Sequence, residues 1–99
     1  SKLKRLPKTS FLRDLIVRII NPAVQQEMGL GLNTSGIVIV EPGPSGSRLG
    51  FQSGDIIEEI NGTRLIAAEQ IDELIGSISR SGQFIISRDG QRLIIRYRT

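Results

Sequence analysis

The stretch from Gly36 to Leu65, GIVIVEPGPSGSRLGFQSGDIIEEINGTRL, constrains the fold more than any other part of the sequence. It predicts a strand over Ile37–Val40, a Pro/Gly turn, a helical turn over Ser47–Phe51, and a second strand over Asp55–Ile60. Val and Ile fill both predicted strands, and these residues favour extended backbone. The ordered spacing of these signals therefore indicates a compact, β-rich unit.

Apolar patterns on either side of this stretch predict further elements. Leu15–Ile20 is short, apolar and rich in β-branched residues, which favours a strand. Asn21 before Pro22 is typical of a helix start, and Gly29 is placed to end that helix. We therefore expect a strand followed directly by a short helix.

The last third of the sequence predicts an amphipathic helix and a hairpin. Apolar residues from Ala67 to Ile78 recur at the spacing of one helix face. Asp89-Gly90 separates two apolar-rich runs, Phe84–Arg88 and Arg92–Arg98, which predicts a two-residue hairpin turn. The fold class that follows is mainly β with two helices (α+β), a partly open antiparallel barrel of about five strands.

Length and charge divide the chain into two parts. Its 99 residues suffice for one domain, which we assign to residues 11–99. Residues 1–10 combine charge, Pro7 and small polar residues, which predicts a linker. They carry four of the 13 positive charges, so residues 9–99 have nine positive and ten negative charges, a net charge of −1. The basic segment is interpreted as a solvated linker or as an attachment to an anionic surface.

Composition excludes several classes of function. The chain has no Cys and no His, which removes thiolate nucleophiles, the usual zinc ligands and a self-contained Ser-His-Asp triad. We therefore expect this chain itself not to be an enzyme and to need no metal or cofactor. No aromatic residues interleave with basic ones, so nucleic acid is not an expected partner. No apolar run approaches the roughly 20 residues of a membrane-spanning helix, and no secretory signal is visible.

The central stretch resembles a PDZ domain, a fold that binds peptides. The features that carry this resemblance are Ile37–Val40, Pro42-Gly43, Arg48–Phe51, Gly54-Asp55 and Asn61-Gly62. The element order, with a terminal hairpin after the second helix, is similar to the circularly permuted bacterial form found in HtrA/Do-like (DegP-type) serine proteases. The resemblance covers about residues 11–98, and the position of the last strand favours the C-terminal PDZ of such a protease.

The resemblance implies a role in protein quality control in the periplasm or cell envelope. The chain would bind extended or C-terminal segments of unfolded proteins by adding them as a strand to an unpaired sheet edge, for a serine endopeptidase whose protease domain lies outside this chain. Two alternatives stay open. In the first, the domain is an assembly module that contacts other subunits of the protease. In the second, it is the PDZ domain of another envelope protein.

Two segments compete for the loop that binds a peptide's terminal carboxylate. Gly29-Leu30-Gly31-Leu32 is similar to the Gly-Leu-Gly-Phe signature of animal PDZ domains, but the HtrA register makes Gly29 a helix C-cap. By that register the carboxylate loop is Leu12–Leu15, and Leu15–Ile20 is the docking strand. Asp14 then stands where the family has Gly, and Arg13 where it has an apolar residue.

Asp14 and Arg13 leave three outcomes open for the loop. An Asp can adopt left-handed backbone, but its charge would repel a peptide carboxylate. Arg13 would offset this by pairing with the carboxylate, or the groove would prefer internal segments, or it would serve assembly. The predicted peptide-binding residues come from the loop, the strand and the facing helix: Leu12, Arg13, Asp14, Leu15, Ile16, Val17, Ile71, Leu74 and Ile75. For Val17 and Ile75, a role as ordinary core is the competing interpretation.

Overall fold

Helices and strands are interspersed along the chain, and its strands form one antiparallel sheet. The computed structural model describes residues 3–6, 11–66 and 68–98, without the side chains of Ala68, Glu69, Ile71 and Ile75. The strands are β1 (Leu3–Arg5), β2 (Ile16–Ile19), β3 (Ile37–Glu41), β4 (Ile56–Ile60), β5 (Thr63–Arg64), β6 (Ser81–Arg88) and β7 (Gln91–Arg98). The helices are α1 (Pro22–Met28), α2 (Gly43–Leu49) and α3 (Ala68–Gly76).

The sheet runs in the order β1-β2-β3-β4-β6-β7, and β5 pairs with β4 beside this path. All of these pairings are antiparallel, as predicted. Seven strands stand where about five were expected, and the two that the sequence did not indicate are the short strands β1 and β5. Strands of two and three residues offer too little alternation to be recognised without their partners.

The capping residues of α1 act as their positions predict. The Asn21 side-chain oxygen accepts a hydrogen bond from the Val24 amide at 2.9 Å, and Pro22 opens the helix. Gly29 ends it in the left-handed conformation, with φ of 67°. Among the described residues, no helix combines the length and apolarity needed to cross a membrane.

Helix α2 begins earlier and is longer than the helical turn predicted over Ser47–Phe51. It starts at Gly43, with Pro44 in its first turn, and Gly50 ends it with φ of 101°. The Pro/Gly run was interpreted as a turn because both residues are typical of turns. Proline is also well suited to the first turn of a helix, where its missing N–H leaves no bond unmade.

The terminal hairpin forms as predicted. Asp89 and Gly90 both have positive φ, 51° and 78°, as a type I′ turn requires. Along β7 the apolar residues Leu93, Ile95 and Tyr97 are half-buried or buried, and the residues between them are exposed. One face of this hairpin therefore covers the core.

The core is aliphatic, with all four aromatic residues joined in one chain of ring contacts. Phe51 meets Phe84 edge to face at 5.1 Å between ring centroids. Phe84 stacks on Tyr97 at 5.4 Å, and Tyr97 stacks on Phe11 at 5.1 Å. These contacts connect the end of α2 through the terminal hairpin to the start of the loop before β2.

The assignment of residues 1–10 to a linker is wrong over residues 3–6. Leu3–Arg5 form β1, and the Leu6 side chain is only 1% exposed. Strand formation here depends on pairing with β2, since a three-residue charged strand has no stability of its own. Residues 7–10 of the predicted linker lie outside the described residues.

Candidate functional site

The predicted carboxylate loop, Leu12–Leu15, is a tight turn anchored at both ends. Leu12 and Leu15 are fully buried, and the Leu15 amide donates to the Leu12 carbonyl oxygen at 3.2 Å. Asp14 adopts φ of 67°, the left-handed conformation that glycine favours. Arg13, directly before it, is exposed. The loop therefore keeps its backbone turn with an Asp in the glycine position.

Two neighbours hold this loop in place. Phe11, directly before it, stacks on Tyr97 of β7. On the other side, Gly43 at the start of α2 has φ of 71°, and a Cβ there would lie 3.0 Å from the Asp14 carbonyl oxygen. The close approach of α2 thus depends on glycine at position 43.

The outer edge of β2 is already paired with the chain's own backbone. β1 runs antiparallel to β2, with Lys4 opposite Val17 and Arg5 opposite Ile16. Just past β1, the Leu6 amide donates to the Leu15 carbonyl oxygen at 2.9 Å. The expectation of an unpaired docking edge is therefore wrong for this state of the molecule, because residues 3–6 already occupy the edge.

Side chains of this N-terminal segment alternate between the two faces of the sheet. Leu3 and Arg5 are exposed, whereas Lys4 is half-buried and Leu6 is buried. The Lys4 ammonium forms an ion pair with the Asp72 carboxylate of α3. The segment therefore lies between β2 and α3, in the space that we call the groove.

The structure sorts the predicted site residues into three groups. Leu12, Leu15 and Val17 belong to the main apolar cluster, and Leu74 packs against it from α3. Ile16 is half-buried on β2, and Arg13 and Asp14 lie in the loop. Ile71 and Ile75 belong to α3, but their side chains lie outside the described residues.

Three groove residues were not predicted: Lys4, Leu6 and Asp72. The alternation of charge and leucine in KLKRL was the available signal, since it is compatible with a strand that has one apolar face. Asp72 stands between the apolar positions of the helix predicted from Ala67 to Ile78. Its ion pair with Lys4 joins residues 68 positions apart, which local patterns do not reveal.

Gly29–Leu32, the alternative carboxylate loop, lies elsewhere and is bonded differently. The Leu30 amide donates to the Gln25 carbonyl oxygen at 2.8 Å, which belongs to the end of α1. The Gln25 side-chain amide donates to the carbonyl oxygens of Leu32 and Thr34, both at 3.0 Å. With the Leu32 side chain 88% exposed, this segment is a helix end and loop, as the HtrA register predicts.

Asp55, directly before β4, has a structural role. Its buried carboxylate accepts two bonds from the Arg88 guanidinium, at 2.8 and 2.7 Å, and one from the Gln52 amide at 2.8 Å. The same hydrogen-bonded pairing raises the pKa of Arg88. Within the described ranges, no three His, Cys, Asp or Glu side chains are grouped so as to hold a metal ion.

Solved structures similar to this chain include two from the HtrA group. The HtrA3 PDZ domain bound to the phage-derived ligand FGRWV has a TM-score of 0.67 and 26% identity, and the match covers 98% of this chain and 86% of that one. The HtrA-type protease AlgW with a decapeptide has a TM-score of 0.66 and 22% identity, over 83% of this chain. The match spans about a quarter (26%) of the AlgW chain.

Comparison at the level of sequence is less informative. No family model matches the chain, and no curated protein matches it. The likeness is therefore one of backbone fold. The fold is that of a PDZ domain, and the likeness to PDZ domains of HtrA-type proteases that the sequence predicted is confirmed.

Proposed function

We propose that this chain is the peptide-recognition module of a bacterial HtrA-type serine protease that acts in protein quality control in the cell envelope. It binds extended segments of unfolded proteins by strand addition to the outer edge of β2. Catalysis belongs to a protease domain outside this chain, because the chain has no His for a triad. Its own contribution is to hold a substrate segment.

The observation that carries this proposal is the antiparallel strand along the edge of β2. Residues 3–6 occupy that edge with a backbone hydrogen bond to Leu15 and a buried side chain at Leu6. Strand addition recognises an extended backbone in this way, and the burial of alternate side chains supplies selectivity. Peptide ligands in the two similar structures, the decapeptide and FGRWV, give independent support.

The loop favours internal segments over chain ends, one of the three outcomes left open by the sequence. Leu6 is followed by Pro7, so the strand in the groove is an internal one. Asp14 also keeps a negative charge at the turn where a terminal carboxylate would arrive, and like charges repel. We therefore include preference for internal segments in the proposal.

A charge placed in α3 tests where peptides bind. Labelled peptides from a randomised library, amidated at the C-terminus, are titrated against the wild type, Ile71→Lys and the matched control Leu32→Lys. We expect Ile71→Lys to weaken binding at least tenfold, since the sequence predicts that position 71 lines the groove and a poorly solvated charge there is costly, and Leu32→Lys to bind as the wild type does. An equal loss of peptide affinity in both folded variants would indicate that peptides bind at Gly29–Leu32 instead.

Sedimentation of the same samples separates recognition from the assembly alternative. A monomer that binds peptides supports recognition. Self-association without any peptide binding would contradict the proposal and favour a module that holds subunits together.

A further inference from the structure

We propose that residues 3–6 are an intramolecular ligand of the groove, and that guests from other chains share their pattern, a cationic residue two positions before an aliphatic one. This inference rests on the proposed function, because it names both the segment that a guest must displace and the chemistry that a guest must offer. The pattern in this chain is Lys4-Arg5-Leu6.

The aliphatic position is defined by burial. Leu6 is 1% exposed and belongs to the same apolar cluster as Leu12 and Leu15, the two anchors of the loop. Its amide is bonded to the Leu15 carbonyl oxygen at 2.9 Å, which fixes the segment lengthwise along β2. Backbone bonds of this kind accept any sequence, so the side chains that face inward must supply selectivity.

The cationic position is defined by charge. Lys4 shares the inward face with Leu6 and pairs with Asp72. Helix α3, AEQIDELIG, carries three acidic residues and no basic one, and residues 9–99 together have a net charge of −1. All three lysines of the chain lie within its first eight residues, and one of them, Lys4, meets the opposite charge of Asp72.

Because residues 3–6 occupy the groove, a peptide from another chain must displace them in order to bind. β1 is only three residues long, and two of them are exposed, which is typical of a region that opens locally at low free energy. A guest binds only when the segment is released, so the apparent affinity falls by the fraction of molecules that are open. Weakening the segment should therefore strengthen binding in trans.

The first test uses a matched pair of charge reversals on the two faces of β1. The probe is the pentapeptide Lys-Leu-Lys-Arg-Leu, acetylated and amidated, with a fluorophore for polarisation. We expect Lys4→Glu to bind it about two- to fivefold more tightly than the wild type, the range for an exposed ion pair. Arg5→Glu, the same charge change on the exposed face, should bind as the wild type does.

A second pair of measurements tests the choice of guest. Asp72→Lys is titrated with the same probe and with one that carries Glu at its third position. We expect the wild type to prefer the lysine probe and Asp72→Lys to prefer the glutamate probe, because the helix charge is reversed. Unchanged preference in the variant would overturn the assigned pattern.

Zero-length carbodiimide cross-linking tests whether the segment binds its own chain. We expect mass spectrometry of the monomer band to show Lys4 joined to Asp72. A cross-link found only in dimers would place the segment in a second copy and overturn the intramolecular assignment.

The outcomes separate the two proposals. Equal affinity of the wild type and Lys4→Glu for the probe would overturn the intramolecular ligand and leave peptide recognition standing. If neither the folded variants nor the wild type bound any peptide, the proposed function itself would be overturned. Leu6→Asp should release the segment more fully than Lys4→Glu does. We expect it to bind the probe about tenfold or more tightly than the wild type if the groove is mostly closed. Circular dichroism reports whether that variant folds.

Discussion

At the scale of single residues, two side chains at opposite ends of the terminal hairpin have raised pKa values. For Arg88 the main cause is its hydrogen-bonded pairing with Asp55, which stabilises the cation. For Tyr97 it is burial, which disfavours the phenolate. The Tyr97 hydroxyl donates to the Ser79 carbonyl oxygen at 2.7 Å and so ties β7 to the segment that leaves α3.

Tyr97→Phe should change how stability depends on pH. Because the folded pKa is raised above the ordinary value of about 10, the Tyr97 contribution is fully present below pH 10 and is lost as pH rises through the folded value. We expect the variant to be about 1 kcal/mol less stable at pH 7, the net value of one hydrogen bond. The difference should shrink above pH 10.

Urea unfolding of both proteins between pH 7 and 11 measures this effect. Tyr97 is the single tyrosine of the chain, so the substitution removes its only phenol. If the difference in free energy of unfolding between the two proteins stayed constant across that pH range, the assigned role of the hydroxyl would be contradicted.

Asp14→Asn should reveal whether the loop repels chain ends. Asn keeps the left-handed backbone that position 14 requires, with φ of 67°, but it removes the charge. We expect about fivefold tighter binding of peptides with a free C-terminal carboxylate, which corresponds to about 1 kcal/mol of relieved repulsion. The amidated forms of the same peptides should bind unchanged. An equal gain in affinity for the free and the amidated peptides would indicate a structural effect of the substitution instead of relieved repulsion.

At the scale of elements, the groove depends on two neighbouring pieces, the loop Leu12–Leu15 and β2, and on α3, which comes much later in the sequence. β2 supplies a backbone edge, α3 supplies the acidic side chain of Asp72, and the loop supplies buried anchors. β1 adds a fourth piece that completes the sheet. A peptide must replace β1 without disturbing the other three.

Helix α1 is an element that the groove does not use, and Gly29→Ala should demonstrate this. Alanine at φ of 67° costs about 1 kcal/mol, because its Cβ crowds the backbone. Beyond residue 29 and its two chain neighbours, a Cβ there would meet no atom within 4 Å, so the loss should come from local backbone strain alone. We expect a lower midpoint of thermal unfolding and unchanged peptide affinity. Weaker peptide binding by the folded variant would return Gly29–Leu32 to consideration as the carboxylate loop.

At the scale of the whole molecule, we expect recognition without catalysis. Incubation of the chain with unfolded casein should give no cleavage, since the chain has no His to act as general base. Gel analysis over a day measures this, with a serine-protease inhibitor as control for contamination. Inhibitor-resistant cleavage that co-purifies with the chain would contradict both the family likeness and the proposed role.

The sequence by itself determined the elements whose signals are local. Asn21, Gly29 and Asp89-Gly90 act through backbone conformation and capping within a few residues, so α1 and the hairpin could be predicted closely. The turn at Leu12–Leu15 and the strand after it were also located from the sequence, through the register of the HtrA resemblance, and their role in peptide binding stays a prediction. Periodic apolar residues likewise indicated α3 and most of the sheet.

Only the tertiary structure decided what occupies the groove. A three-residue charged strand becomes stable by pairing with β2, and Lys4 meets Asp72 only after the chain has folded. Both contacts depend on partners outside the segment itself, which its own propensity and periodicity do not reveal. The same segment therefore looked like a linker in the sequence and is the edge strand of the folded domain, because its partners are supplied by the sheet and by α3.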